Sequence, residues 1–180
     1  MLLLEATKLK LAEAQFFLLE LNSLRGRVFS TGLGAYEFYL SAFLSAARSV
    51  TYVLQAEQKD KYDAWCPAWR NALPPAELSL LVFFNEQRGH TVHRKGAEVA
   101  LGCEPLSLHE YLASASREGA HVEIWNGPLG NPPPTFSRTI RSFRLAEKEV
   151  EATQACKDYF AVIAKLVDAF EKAHSSEEAT

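Results

Sequence analysis

Apolar positions in this chain recur mostly at helical spacing. Residues 3–24 hold Leu, Ala, Glu, Lys and Gln with no Gly or Pro, a composition that favours helix. Leu9, Ala12, Phe16, Leu19 and Ser23 follow the three-and-four spacing of one buried face. Gly26, Gly32 and Gly34, with Ser30 and Thr31, then stop that helix and predict a loop. Tyr36 to Gln58 predicts a second helix. Its apolar surface, from Tyr36, Tyr39, Leu40, Phe43, Leu44, Ala47, Val50, Val53 and Leu54, is wide enough for a central position with several neighbours. Ser41, Ser45, Arg48 and Tyr52 recur at steps of four, three and four, so they share one polar stripe.

A shorter helical piece follows over Lys59 to Leu73, with Tyr62, Trp65 and Trp69 on one face and Pro67 predicting a kink or restart. Pro74 and Pro75 suit a first turn and open a helix from Ala76 to about Gln87, with Leu78, Leu81 and Phe84 inward and Gly89 as its end. Gly96, Gly102 and Pro105 break the next stretch, and Ser107 caps a short helix through Ser116. Val122 and Ile124 read as a strand, the Gly- and Pro-rich run to Pro134 as a turn, and Phe136 to Phe143 as a returning strand. A last helix spans Glu147 to His174, with Val150, Ala155, Tyr159, Val162, Ile163, Leu166, Val167 and Phe170 in register. The expectation is a mostly all-α chain: an antiparallel four- or five-helix bundle, one domain over 1–180, with a small irregular or β-hairpin insertion at about 96–143.

Composition narrows the classes. Apolar residues make up 48% and charged residues 23% of the 180 residues, ordinary for a globular domain and unlike a disordered chain, a collagen or a disulfide scaffold. The net charge is −3, so nucleic acid would have to be held by a local patch rather than a global field. Cys66, Cys103 and Cys156 are odd in number and widely spaced, and read as reduced, buried thiols. Charges at Glu5, Lys8 and Lys10 interrupt the apolar start, and no apolar run approaches the ~18 residues of a membrane span. The expected location is the cytoplasm, with no membrane contact.

The densest reactive group is Arg88-Gly89-His90-Thr91-Val92-His93-Arg94-Lys95, with no acid between Glu86 and Glu98. A guanidinium forks onto phosphate oxygens, and an imidazole moves protons near neutral pH. Together they suffice for phosphodiester cleavage without a metal: His takes the 2′-hydroxyl proton or protonates the leaving oxygen, and Arg stabilises the charge on phosphorus. With ten arginines and five histidines in the chain, an Arg-x4–6-His spacing arises by chance roughly 0.8 times, so the surrounding pattern must carry the argument.

That pattern resembles a family. LSAFLSAARSV (Leu40 to Val50), then WCPAWRNAL, then LLVFFNEQRGHTVH, on an all-helical chain, is similar to the HEPN superfamily (higher eukaryote and prokaryote nucleotide-binding domains). The resemblance covers about residues 36–95, with weaker support from the terminal helix. It implies a helical bundle that binds RNA or nucleotides, in many members a metal-independent endoribonuclease working as a homodimer, in some cases with a partner protein such as an antitoxin. Carried over by position, Arg88 binds phosphate and His93 is the acid–base group. His90, Arg94, Lys95 and Arg48 are the further candidates for substrate binding, with no metal and no cofactor. Gly89 departs from the family pattern, which usually has a polar residue there.

Each signal has a plainer reading. Arg88 and His93 also suit a helix C-terminus, whose dipole favours cations. Arg48 also suits a buried ion pair with Glu37 or Asp63. Trp65 and Trp69 suit core packing better than base stacking. Arg138, Arg141 and Arg144 read equally as a phosphate track or a solvated face. Two other functions stand beside RNA cleavage: a non-catalytic interaction module, and a metal-binding bundle using His90 and His93 with His109 or His121.

Overall fold

The computed structural model describes residues 4–29, 34–93, 99–122, 135–145 and 147–175, and of residues 88–93 the backbone alone. Six helices and three strands lie within them: α1 (Glu5–Ser23), α2 (Ala35–Glu57), α3 (Lys59–Asn71), α4 (Pro75–His93), β1 (Ala100–Leu106), α5 (Leu108–Glu118), β2 (Phe136–Leu145), β3 (Lys148–Glu151) and α6 (Ala152–Ser175). The molecule is mostly helical, with a small antiparallel sheet in the order β1-β2-β3.

The start of α1 is tied to the end of α2. The Glu57 carboxylate accepts from the Ala6 and Thr7 amides at 2.9 and 3.0 Å and from the Thr7 hydroxyl. It satisfies first-turn donors that no side chain of α1 itself caps. That bond is why Thr7 is fully buried. The face expected to be buried is not. Leu9 is 72% exposed, Phe16 55% and Leu19 61%, and Ala12 and Ser23 are exposed with them. The core instead takes Leu4, Thr7, Ala14, Leu18 and Leu21.

The second helix behaves as its wide apolar surface requires. Phe43, Ala47, Val50 and Leu54 are fully buried, and α2 touches α1, α3, α4 and α6. Gln58 alone separates α2 from α3, and α3 continues through Pro67 without a restart. Trp65 and Trp69 stack at 5.8 Å, and Trp65 meets the Phe170 ring at 5.3 Å, so both rings serve packing. Pro75 opens α4 as expected, but the helix does not end at Gly89; it runs on through His93. A helical glycine costs only about 1 kcal/mol against alanine and does not oblige termination.

The expected hairpin forms with other partners. Phe136–Leu145 is a strand, paired on one side with Ala100–Leu106 (Gly102 opposite Ile140) and on the other with Lys148–Glu151. Val122 has no strand structure, and Ile124 lies outside the described residues. Pro105 is tolerated because β1 is an edge strand. Ser107 caps α5 in a reciprocal capping box with Glu110, and Gly119 ends that helix at φ 65°, a left-handed conformation suited to glycine. The last helix starts later than its periodicity suggested, and Val150 belongs to β3. The Glu151 carboxylate caps α6 from outside by accepting the Thr153 and Gln154 amides, both at 2.9 Å.

The sheet is not an appendage. Phe143 of β2 is fully buried and meets Phe83 at 5.3 Å and Phe84 at 5.6 Å. Phe84 stacks on Tyr159 of α6 at 4.4 Å, and Phe43 of α2 meets Tyr159 edge-on. One aromatic cluster thus joins the sheet to three helices. Of the cysteines only Cys156 is buried; Cys66 is half-buried and Cys103 exposed, and all three are free.

Candidate nucleic-acid interface

The residues singled out by the sequence fall in two places. Arg88, His90 and His93 occupy the end of α4, and Arg94 and Lys95 lie outside the described residues. Positions 88 and 93 are five apart, about 140° around a helix axis, whereas 90 and 93 are three apart and share a side. Because the helix continues past Gly89, the pair sits in its final turns rather than in a connection beyond it. His93, as the last helical residue, also fits the dipole reading.

Arg48 is half-buried in the middle of α2. Its guanidinium lies 4.3 Å from the Tyr52 ring centroid and donates to the Tyr52 hydroxyl at 3.0 Å and the Thr51 hydroxyl at 2.9 Å. The expected acid partner is not there. Glu37 pairs with Arg141, and Asp63 accepts from Gln55 at 2.6 Å.

The structure gathers a different set of arginines. Residues 24–29 leave α1 and turn at Gly26, whose φ of 68° is left-handed and where an added Cβ would come 3.5 Å from Arg138 Nη1. This turn faces the sheet across a cleft of about 460 Å³ lined by Arg25, Arg138 and Arg141, with Tyr36, Ile140, Glu104 and Glu151 among its walls. Arg25 Nε lies 3.2 Å from Glu151, Arg138 pairs with Glu104 across the β1–β2 ladder, and Arg141 Nε reaches Glu37 at 2.8 Å while covering the Tyr36 ring at 4.4 Å. The Tyr36 hydroxyl is bonded to Thr153 at 3.0 Å, and burial raises its pKa.

A second hollow of about 300 Å³ adjoins the same turn, lined by Ser23, Arg25, Gly26, Arg27, Arg117 and Glu118. Among the described lining residues the only carboxylate is already engaged: Glu118 accepts the Val28 and Phe29 amides, both at 2.9 Å. Arg27 bonds the Ser23 carbonyl at 2.9 Å, and Arg117 bonds the Ala113 carbonyl and the Ser114 hydroxyl. Neither pairs with a carboxylate among the described residues. Arg144 is exposed and lines neither hollow.

Five of the chain's ten arginines therefore meet where the α1 end, the α5 end and β2 converge. Guanidiniums in ion pairs at a wet rim exchange a carboxylate for a phosphate at small cost, because exposed pairs are worth about 0–1 kcal/mol. Among the described residues no histidine lines either hollow, and their charged side chains are guanidiniums and carboxylates. Sequence reading found Arg138 and Arg141 but missed Arg25, Arg27 and Arg117. The Arg25-Gly26-Arg27 turn directly after a helix was the available signal; Arg117 joins it only through the fold. Among the described residues no group of three His, Cys, Asp or Glu is placed to hold a metal, and no helix is long and apolar enough to cross a membrane. No family model, curated protein or solved structure matches the chain.

Proposed function

We propose that this chain is an RNA-binding protein of the HEPN kind, a four- or five-helix antiparallel bundle acting in the cytoplasm without a metal, and that its arginine-lined cleft holds the phosphate backbone of a single strand. One observation carries the reading: in a chain of net charge −3, five arginines border one pair of adjoining hollows, and two of them, Arg27 and Arg117, have no carboxylate partner among the described residues. Those two guanidiniums support the reading, because an acidic chain needs a local basic patch to hold nucleic acid, while Arg25, Arg138 and Arg141 are each paired with a glutamate. Fluorescence anisotropy with a labelled single-stranded RNA tests it. The wild type binds with a steep salt dependence; Arg27→Ala/Arg117→Ala keeps the melting temperature, weakens binding at least tenfold and lowers the salt slope by about 1.4, the share of two phosphate contacts on a single strand. Binding unchanged in that variant removes the cleft from the reading, and no binding by the wild type removes the reading itself.

A cleaving version rests on the Arg88–His93 spacing: the last two turns of α4 carry Arg88, His90 and His93, with positions 88 and 93 about 140° apart around its axis. In that version Arg88 neutralises the phosphate and His93 transfers the proton, with His90, Arg94, Lys95 and Arg48 holding the strand. Incubation of RNA with the protein in EDTA decides it. Cleavage lost in both Arg88→Ala and His93→Ala supports it, and cleavage indifferent to both discards it.

A further inference from the structure

We infer that the smaller of the two adjoining hollows takes a terminal phosphate, so that the strand is held by a phosphorylated end rather than along its interior. This deepens the RNA reading above and rests on it.

Positive charge is unevenly committed between the hollows. In the larger one each arginine has a glutamate: Arg25 has Glu151, Arg138 has Glu104 and Arg141 has Glu37. In the smaller one, among the described residues, Arg27 and Arg117 bond only to backbone carbonyls and a hydroxyl. A backbone threaded through both hollows would bring one negative charge per nucleotide and want cations at intervals along its path. Here the uncommitted cations stand together at one end. An internal phosphodiester has a single charge and two free oxygens. A terminal monoester carries about two charges at neutral pH and three free oxygens, enough to receive two forked donors at once.

The fold brings these two arginines together with one carboxylate. Glu118 accepts the Val28 amide at Oε1 and the Phe29 amide at Oε2. Arg27 directly precedes Val28, and Arg117 directly precedes Glu118, so this clamp sets both arginines on one hollow. Among the described lining residues the Glu118 charge is the one that opposes an anion, and its two amide bonds offset it. Each arginine is steadied through Nε, Arg27 by the Ser23 carbonyl at 2.9 Å and Arg117 by the Ala113 carbonyl at 3.4 Å. Side chains already steadied lose less freedom when a ligand arrives.

The two volumes suit the two halves of a nucleotide. The smaller hollow, of about 300 Å³, shares Arg25 and Gly26 with the larger one, of about 460 Å³, whose walls include Leu24, Tyr36 and Ile140. A phosphate in the first therefore leaves its nucleoside against the more apolar wall of the second.

Fluorescence anisotropy with short single-stranded RNAs of one sequence tests the inference. One pair carries the dye at the 3′ end and ends in a 5′-phosphate or a 5′-hydroxyl; the other carries it at the 5′ end and ends in a 3′-phosphate or a 3′-hydroxyl. In one pair the phosphorylated strand should bind at least about tenfold more tightly, which also says which end is read. Arg27→Ala/Arg117→Ala, with an unchanged melting temperature, should bind both members of that pair alike. If the double variant melts early, Arg117→Gln, which leaves the α1 turn untouched, has to shrink the preference. Binding without preference in either pair overturns the inference and leaves the RNA reading standing. A preference that these variants do not change puts the end elsewhere and overturns it as well. No binding of any strand removes the RNA reading and this inference with it.

Discussion

Helices α6 and α1 carry the same kind of apolar pattern and meet opposite fates. In α6 every apolar position that periodicity assigned to the core from Ala155 to Phe170 is buried, among them Tyr159, Ile163, Leu166 and Val167. In α1 the assigned row is the exposed one, and the buried row runs through Thr7, Ala14, Leu18 and Leu21 instead. The difference lies in α1 having two apolar rows about half a turn apart, of which the outer looks stronger on paper. The inner row includes Thr7, a poor core residue by composition, which becomes a good one once Glu57 satisfies its hydroxyl and amide. Periodicity establishes that a helix has a face; the identity of what covers it comes from elsewhere in the chain, or from outside it.

The largest test of this contrast is Phe170→Ala in α6. Phe170 is fully buried between Tyr62, Trp65 and His174, with ring centroids at 6.3, 5.3 and 4.3 Å. Removing it leaves a cavity between two helices and should lower unfolding free energy by about 3–5 kcal/mol in a urea titration. A loss below about 1 kcal/mol would mean that the α3–α6 contact is not the anchor it looks, and the contrast with α1 would fail at its strong end.

Alkaline pH gives a second, smaller test. Burial pushes Tyr159 up to about 12 and raises Tyr36 and Tyr62 as well. In the unfolded chain these phenols lose their protons near pH 10. The neutral folded form is therefore fully favoured below pH 10, and stability falls as pH rises towards 12, by about 2–3 kcal/mol for Tyr159 alone. Urea midpoints at pH 9 and 11.5 should show that fall, and Tyr159→Phe should reduce it. A midpoint that does not move over this range would mean that water reaches the α6 face, as it reaches the outer face of α1.

These two faces also show what could be read in advance. All the long helices, the Ser107-capped α5 and strand β2 were legible because each has a local cause: spacing, a cap, or β-branched and aromatic residues between breakers. Strands β1 and β3 were not. Gly102 and Pro105 disguise the first, which needs β2 beside it to exist, and Val150 fits helical spacing although Glu151 caps α6 one residue later. The candidate site divides in the same way. Arg88 and His93 are visible as a spacing, whereas the grouping of Arg25, Arg27 and Arg117 with Arg138 and Arg141 depends on a turn, a short helix and a strand that are far apart in the chain.

The smallest expected effect is the sharpest, because it opposes the usual rule. Leu19→Ser removes a leucine from an apolar helical row, and in a core that costs several kcal/mol. Leu19 is 61% exposed, so the change should fall within about 0.5 kcal/mol of wild type in a urea titration. A loss above about 1 kcal/mol would mean that this row is covered after all, and the contrast with α6 would fail at its weak end.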